Sequence, residues 1–167
     1  LNQLLSDASV IHRSNLQRFA PLDLVETVHQ ALHEALPQAG PAPRVQLAIT
    51  TGAVQVNGDA LLLREAIKNL IDNAVKYGGD GPLQIALTVQ DTQAVLTIAD
   101  HGPGISAADA ERVFERFGRG ESAPAGGAGL GLAIVKRVVE SHGGSIDLSN
   151  RPEGGLVATI HLPRHAA

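Results

Sequence analysis

Leu83-Gln-Ile-Ala-Leu-Thr-Val-Gln-Asp-Thr-Gln-Ala-Val-Leu-Thr-Ile-Ala99 is the stretch that decides the fold class. Leu83, Ile85, Leu87 and Val89 alternate with Gln84, Ala86, Thr88 and Gln90, the period-two pattern of a strand with one buried face. After Asp91-Thr-Gln93 the alternation resumes through Ala94, Leu96 and Ile98, which predicts an antiparallel hairpin. Upstream lies a long helical pattern over 59–77, ended by Gly78-Gly-Asp-Gly-Pro82. Downstream, a helix over about 130–141 leads into two last strands, 145–149 and 156–162, joined by Arg151-Pro-Glu-Gly-Gly155. Helices and antiparallel hairpins in this order predict a two-layer α/β sandwich, not a doubly wound parallel sheet.

The remaining segments are less decisive. Leu1, Leu4, Leu5, Ala8 and Ile11 recur at helical spacing, so 1–13 reads as an amphipathic helix stub that needs a partner outside this segment. A break at Phe19-Ala-Pro-Leu-Asp23 precedes a helix over 22–36, with Leu24, Val25, Val28, Leu32 and Leu36 on its apolar side. A loop at Gln38–Pro43 and a strand at 45–49 follow, and 54–56 is expected to pair with that strand. Short helical turns are expected across 107–117, and mobile chain across the glycine-rich 118–128.

Composition narrows the function. Of 167 residues, 44% are hydrophobic and only 2% aromatic, so Leu, Ile, Val and Ala must build the core. Thirteen basic against seventeen acidic residues give a net charge of −4, and no basic patch with interleaved aromatics exists; both argue against nucleic acid. The absence of cysteine removes disulfides, thiolate zinc sites and cysteine nucleophiles, and fits a reducing compartment. No apolar run approaches the roughly 18 residues of a membrane span, and no signal peptide is visible. A chain that starts at Leu1 and contains no Met is expected to be part of something longer.

Three features carry chemistry. Gly126-Gly-Ala-Gly-Leu-Gly131 opens an apolar helix, an arrangement whose N-terminal amides suit an anion. A dinucleotide fingerprint would need a preceding strand and GxGxxG spacing, and a phosphate loop a lysine after the last glycine. Here no strand precedes, the spacing is GxGxG and Lys136 lies inside the helix, so both readings fail; alone, the stretch reads equally as a flexible loop entering a helix. Glu65, Asn69 and Asn73 stand at i, i+4 and i+8 of the long helix, with Lys76 and Tyr77 continuing that side. The two asparagines cost about 1 kcal/mol together against good helix formers. Their oxygens suit a magnesium ion held through waters and phosphates, but the stripe alone also fits a solvated face. Asp100-His-Gly-Pro-Gly104 sets a carboxylate at the end of a buried strand, fit to accept from an exocyclic amine, though an Asp-Gly turn is the common alternative. Phe114 and Phe117 read as core.

Together these pieces resemble the ATP-binding domain of sensor histidine kinases, within the gyrase, chaperone, histidine-kinase and MutL ATPase superfamily. "NLIDNAVKYG" resembles the asparagine box, "DHGPGI" the first glycine box, "VFERFGRGE" the phenylalanine box and "GGAGLGLAIVK" the second glycine box, in family order, from Phe19 to about Pro163. The resemblance implies a Bergerat-type α/β sandwich: a mixed, mostly antiparallel sheet of about five strands with three main helices on one face. It implies that 1–18 ends a helical dimerisation and phosphoacceptor domain with its linker, and that 19–167 is the ATP-binding catalytic domain. Asn73 would hold magnesium, with Asn69 supporting the metal and phosphate side, and Lys76 would reach a phosphate. Tyr77 would pack on adenine and Asp100 would take its amino group, with Gly102 and Gly104 letting backbone approach the base. Arg119 would stand near the γ-phosphate. Gly127, Gly129 and Gly131 would wrap the phosphates, with Leu130 closing over them; Ile105, Phe117 and Leu132 would complete the ATP-binding set.

The implied cofactors are ATP and Mg2+. The implied partners are the chain's own dimerisation domain, in a homodimer, and a response regulator, with the domain on the cytoplasmic side of an inner-membrane protein. Hydrolysing members such as gyrase carry a glutamate one turn before the magnesium asparagine; here Asn69 stands there, and a neutral amide cannot take a proton from water. That favours phosphoryl transfer to a nitrogen nucleophile over hydrolysis. Departures are His101, where the family often has Asn, and Gly118, in place of an aromatic. His33-Glu-Ala-Leu-Pro37 mimics the acceptor box but is one residue short and lies in the wrong helix; the true acceptor is expected upstream. Surface or structural roles are expected for His12, His29, His101, His142, His161 and His165.

Overall fold

The computed structural model describes residues 19–36, 44–49, 52–78, 81–106 and 128–164, the side chains of Tyr77 and residues 128–130 excepted. The elements in chain order are β1 (Ala20–Asp23), α1 (Leu24–Ala35), β2 (Val45–Ile49), β3 (Gln55–Gly58), α2 (Ala60–Tyr77), β4 (Leu83–Gln90), β5 (Gln93–Ala99), α3 (Ala128–Ser141), β6 (Ser145–Asn150) and β7 (Leu156–Pro163). The expected hairpin forms: across antiparallel β4 and β5, Ile85 faces Ile98 and Leu87 faces Leu96. β7 lies antiparallel on the far side of β5, β6 antiparallel on β7, and β2 parallel on β4. The order β2-β4-β5-β7-β6 is the mixed five-stranded sheet the sequence predicts.

Inward residues Ile85, Leu87, Leu96 and Ile160 share one core with Leu24 and Val28 of α1, Leu63, Ile67 and Ile71 of α2, and Val135 and Val138 of α3. The three helices therefore cover one face of the sheet. The core is aliphatic, and burying each such side chain stabilises the fold by roughly 1.5–3 kcal/mol. On the other face a shallow hollow is lined by Gln46, Ala86, Thr97, Ala99, Arg151 and Val157 among others.

Two expectations fail near the N-terminus. The 54–56 stretch does not pair with β2; β3 pairs antiparallel with Ala20–Asp23, which the sequence suggests is a break. β2 is instead drawn into the main sheet, where Val45 to Ile49 run in register with Leu83 to Leu87. β1 hides because it has four residues and contains Pro21, which offers no N–H and is tolerated only at a sheet's edge. Expectations for 1–13, 38–43, 107–117 and 118–127 lie outside the described residues.

Helices α1 and α2 start on aspartates that do more than cap. Asp23 Oδ1 accepts from Val25 N at 3.0 Å and from Val54 N at 3.1 Å, so the α1 cap also pins the chain entering β3. Asp59 Oδ1 accepts from Leu61 N and Leu62 N at 3.0 and 3.1 Å. The Asp59 N–H in turn donates to His142 Nε2 at 3.0 Å, and His142 Nδ1 donates to the Val138 carbonyl at 2.7 Å. The same ring stacks on Phe19 with centroids 4.4 Å apart. His142, expected to be structural or superficial, is a buried tie between the start of α2 and the end of α3.

Candidate functional site

Helix α2 turns Leu63, Ile67, Leu70 and Ile71 into the core, which leaves its polar stripe on the opposite side. Glu65 is exposed; Asn69 and Asn73, one and two turns on, are half-buried. Asn73 Nδ2 is buried with no hydrogen-bond partner, and Asn73 Oδ1 makes no hydrogen bond among the described residues. A buried polar atom left unpaired in this way calls for a partner. Beside it, Lys68 Nζ lies 3.8 Å from Asp72 Oδ2. Burial raises the Asp72 carboxyl above its ordinary range, against the opposing pull of Lys68 and Lys76. Lys76 is exposed in the last turn.

The end of α2 is locked to the loop after β5. The Gly78 carbonyl accepts the His101 N–H at 3.1 Å. A Cβ on Gly78 would run into the Ala74 carbonyl and come within 2.6 Å of Asp100 Cβ, so only glycine allows this approach. Asp100 is 9% exposed. Its Oδ1 accepts from Gly102 N and Leu156 N, both at 3.0 Å, while Oδ2 has no partner among the described residues. One oxygen is thus fixed by two backbone donors and the other left to accept.

Asp100, Gly102, Gly104 and Ile105 form one loop, against which Gly78, five residues past Asn73 at the end of α2, is packed. Gly104 has φ +74°, and a Cβ there would collide with the Asn150 side chain, so this glycine has a local structural reason as well as any ligand reason. Gly129, Leu130, Gly131 and Leu132 lie in the first turns of α3, which packs beside α2. A Cβ on Gly131 would meet nothing within 4 Å, and Leu132 is half-buried against the core. Tyr77 ends α2. Phe117, Arg119 and Gly127 lie outside the described residues.

Sequence reasoning missed the supports behind Asp100. Gly155, at φ +111°, allows backbone contact with the Asp100 carbonyl, where any Cβ would clash. Arg151 donates from its NH1 to that carbonyl at 3.1 Å, and Asn150 bonds both the N–H and the C=O of Ile105. The only available signal was Arg151-Pro-Glu-Gly-Gly155, which reads as a turn and nothing more. His33 is exposed in the last turn of α1, and neighbouring Glu34 lies 3.1 Å from Arg64 of α2, a pairing within the domain. Among the described residues no group of three or more His, Cys, Asp or Glu could hold a metal. No helix among them is long and apolar enough to cross a membrane.

Residues 58–166 match the family described as histidine kinase-, DNA gyrase B- and HSP90-like ATPase. The chain is 35% identical over 163 residues to the sensor protein CutS of Streptomyces coelicolor, covering 95% of this chain and 38% of that protein. It is 35% identical over 167 residues to the sensor protein kinase PmrB of Pseudomonas aeruginosa, covering 98% of this chain and 35% of that protein. The chain thus spans somewhat over a third of these relatives. Its structure is similar to that of the mycobacterial sensor histidine kinase MprB, with TM-score 0.75 and 33% identity over 89% of this chain and all of that one. It is also similar to the ATP-binding domain of PrrB from Mycobacterium tuberculosis, with TM-score 0.71 and 30% identity over 89% of this chain and 98% of that one. By this match, which takes in α2, the Asp100 loop and α3, the chain belongs to the histidine kinase-, DNA gyrase B- and HSP90-like ATPase family.

Proposed function

We propose that this chain is the catalytic ATP-binding region of a sensor histidine kinase. It presents Mg-ATP to a histidine on a dimerisation domain of the same protein, outside this chain, from which the phosphoryl group passes to a response regulator. The carrying observation is the junction of α2 with the Asp100 loop: the Gly78–His101 hydrogen bond ties the helix that carries Asn73, whose Nδ2 is buried without a partner among the described residues, to a carboxylate whose Oδ2 has no partner among them. Asp100 Oδ2 accepts the exocyclic amine of adenine. Asn73, with Asn69 a turn earlier, faces the phosphates, and Lys76 and Arg119 supply positive charge to them.

The donor set fits magnesium, which keeps several waters and binds through few protein oxygens plus phosphates. Among the described residues, Asn73 Oδ1 has no hydrogen-bond partner and no group of three or more His, Cys, Asp or Glu competes for the ion. Bound there, magnesium would supply positive charge to neutralise the phosphates. The chain's residues bind, orient and screen charge; none has to abstract a proton. Asn69, a neutral amide, cannot act as base toward water, which supports transfer over hydrolysis. The likeness to sensor proteins supports a location on the cytoplasmic side of a membrane protein.

The test is calorimetric. Asn73→Ala is expected to abolish magnesium-dependent ATP binding, and Asp100→Ala to erase the preference for ATP over GTP; wild-type behaviour of both variants would overturn the assignment. With labelled ATP, the chain alone is expected to take no acid-labile, base-stable label, and the full-length protein to take it.

A further inference from the structure

The last residue of β6 and the turn after it make none of the nucleotide contacts proposed above, yet they grip both ends of the loop that carries Asp100. At the first end, Arg151 NH1 donates to the Asp100 carbonyl at 3.1 Å and lies 3.1 Å from His101 Nε2. His101 Nδ1 lies 2.8 Å from the Pro82 carbonyl. A carbonyl only accepts, so Nδ1 carries the proton; Arg151 NH1, 3.1 Å from Nε2 and 3.5 Å from Nδ1, lies over the face of the imidazole. The imidazole is therefore held by the Pro82 carbonyl at its edge and by the guanidinium over its face. The guanidinium is fixed as well: its side chain is 12% exposed, and Nε sits 2.9 Å from Glu153 Oε1. At the second end, Asn150 Oδ1 accepts from Ile105 N at 2.8 Å and Asn150 Nδ2 donates to the Ile105 carbonyl at 2.6 Å. The amide pairs both backbone groups of Ile105, as a neighbouring strand would.

We infer that Asn150, Arg151 and His101 form a positioning clip that sets selectivity for adenine without touching the nucleotide. Asp100 Oδ1 is held by Gly102 N, inside the gripped loop, and by Leu156 N, just past the gripping turn. Only while loop and turn keep their relative position is Oδ1 saturated and Oδ2 left as the free acceptor. The clip also gives His101 a role: Nδ1 donates to the Pro82 carbonyl while the ring face packs on the Arg151 guanidinium. Lysine cannot replace Arg151, because one ammonium on a flexible stem cannot hold Glu153 and the Asp100 carbonyl in a fixed fork.

This inference rests on the adenine reading of Asp100, and the experiment separates the two. Affinities for ATP and GTP with magnesium are measured by calorimetry on the wild type, Arg151→Lys, His101→Phe, their double variant and Asn150→Leu, with Leu162→Ala as a control. Each single clip variant is expected to weaken ATP binding by up to about tenfold, the upper end of the net worth of a hydrogen bond, while GTP changes little. The double variant is expected to be no worse than either single, because Arg151 and His101 act in one chain of contacts. Leu162→Ala lowers the unfolding temperature but leaves the ATP/GTP ratio alone, which separates positioning from mere loss of stability. If Arg151→Lys does not fold, Glu153→Gln, changed at an exposed carboxylate, reads the same chain and is expected to lower the ratio by a smaller factor. A wild-type ratio in all folded clip variants overturns the clip; a wild type with no preference for ATP overturns the adenine reading and the clip with it.

Discussion

His142→Ala tests how the start of α2 is held to the end of α3. The wild-type ring accepts the Asp59 N–H at 3.0 Å, donates to the Val138 carbonyl at 2.7 Å and stacks on Phe19 at 4.4 Å. Alanine removes the acceptor of a buried amide, at a cost of about 1–3 kcal/mol. It also forfeits an aromatic stack contributing about 0.5–1.5 kcal/mol beyond its area. The expected loss is about 3 kcal/mol, a large share of the roughly 5–15 kcal/mol that holds a domain folded. For a domain of this size that lowers the unfolding temperature by about 6–12 °C. Circular dichroism is the readout, since the chain has no Trp and one Tyr.

A pH series sharpens the same test. Burial lowers the His142 pKa below the ordinary imidazole value, outweighing the opposing pull of the Val138 carbonyl and Asp59. The unfolded chain therefore binds a proton that the native state refuses. The stabilising contribution is whole above about pH 6.5 and declines as pH falls toward the lowered native value, by at most about 1.4 kcal/mol per unit. His142→Gln keeps an acceptor oxygen and cannot titrate, so its stability should fall less steeply over that window. An alanine variant within 0.5 kcal/mol of wild type (about the scatter of a surface change), or equal slopes for wild type and His142→Gln, would refute the reasoning.

Gly155→Ala forces a side chain onto φ +111° and into the Asp100 carbonyl; a loss of about 2–4 kcal/mol is expected, together with weaker ATP binding in calorimetry. Asn69→Glu puts a carboxylate one turn before Asn73, and steady phosphate release from ATP is expected to rise by about tenfold or more; no rise would remove the argument that the amide disfavours hydrolysis.

What was legible in the sequence follows from how each signal is encoded. The β4–β5 hairpin and α2 could be read because each buries one face, and burial forces alternation in a strand and a 3.6-residue stripe in a helix. β1 could not, because four residues including Pro21 hold no period, and its partner lies more than thirty positions on in the register Ala20 to Gly58. Asp100 could be singled out locally, as a carboxylate closing a buried strand. Its clip could not, because Arg151 reaches it from 51 positions away. That contact depends on strand order: β7 lies between β5 and β6, with Val157 opposite Ala99 and Leu156 opposite Asn150. The turn entering β7 is thereby set at the very end of β5, where Asp100 begins. Had β6 paired with β5 instead, the same residues would have formed an ordinary surface turn. The acceptor is thus written in one residue, but what holds it ready is written in the topology, and only tertiary structure makes it visible.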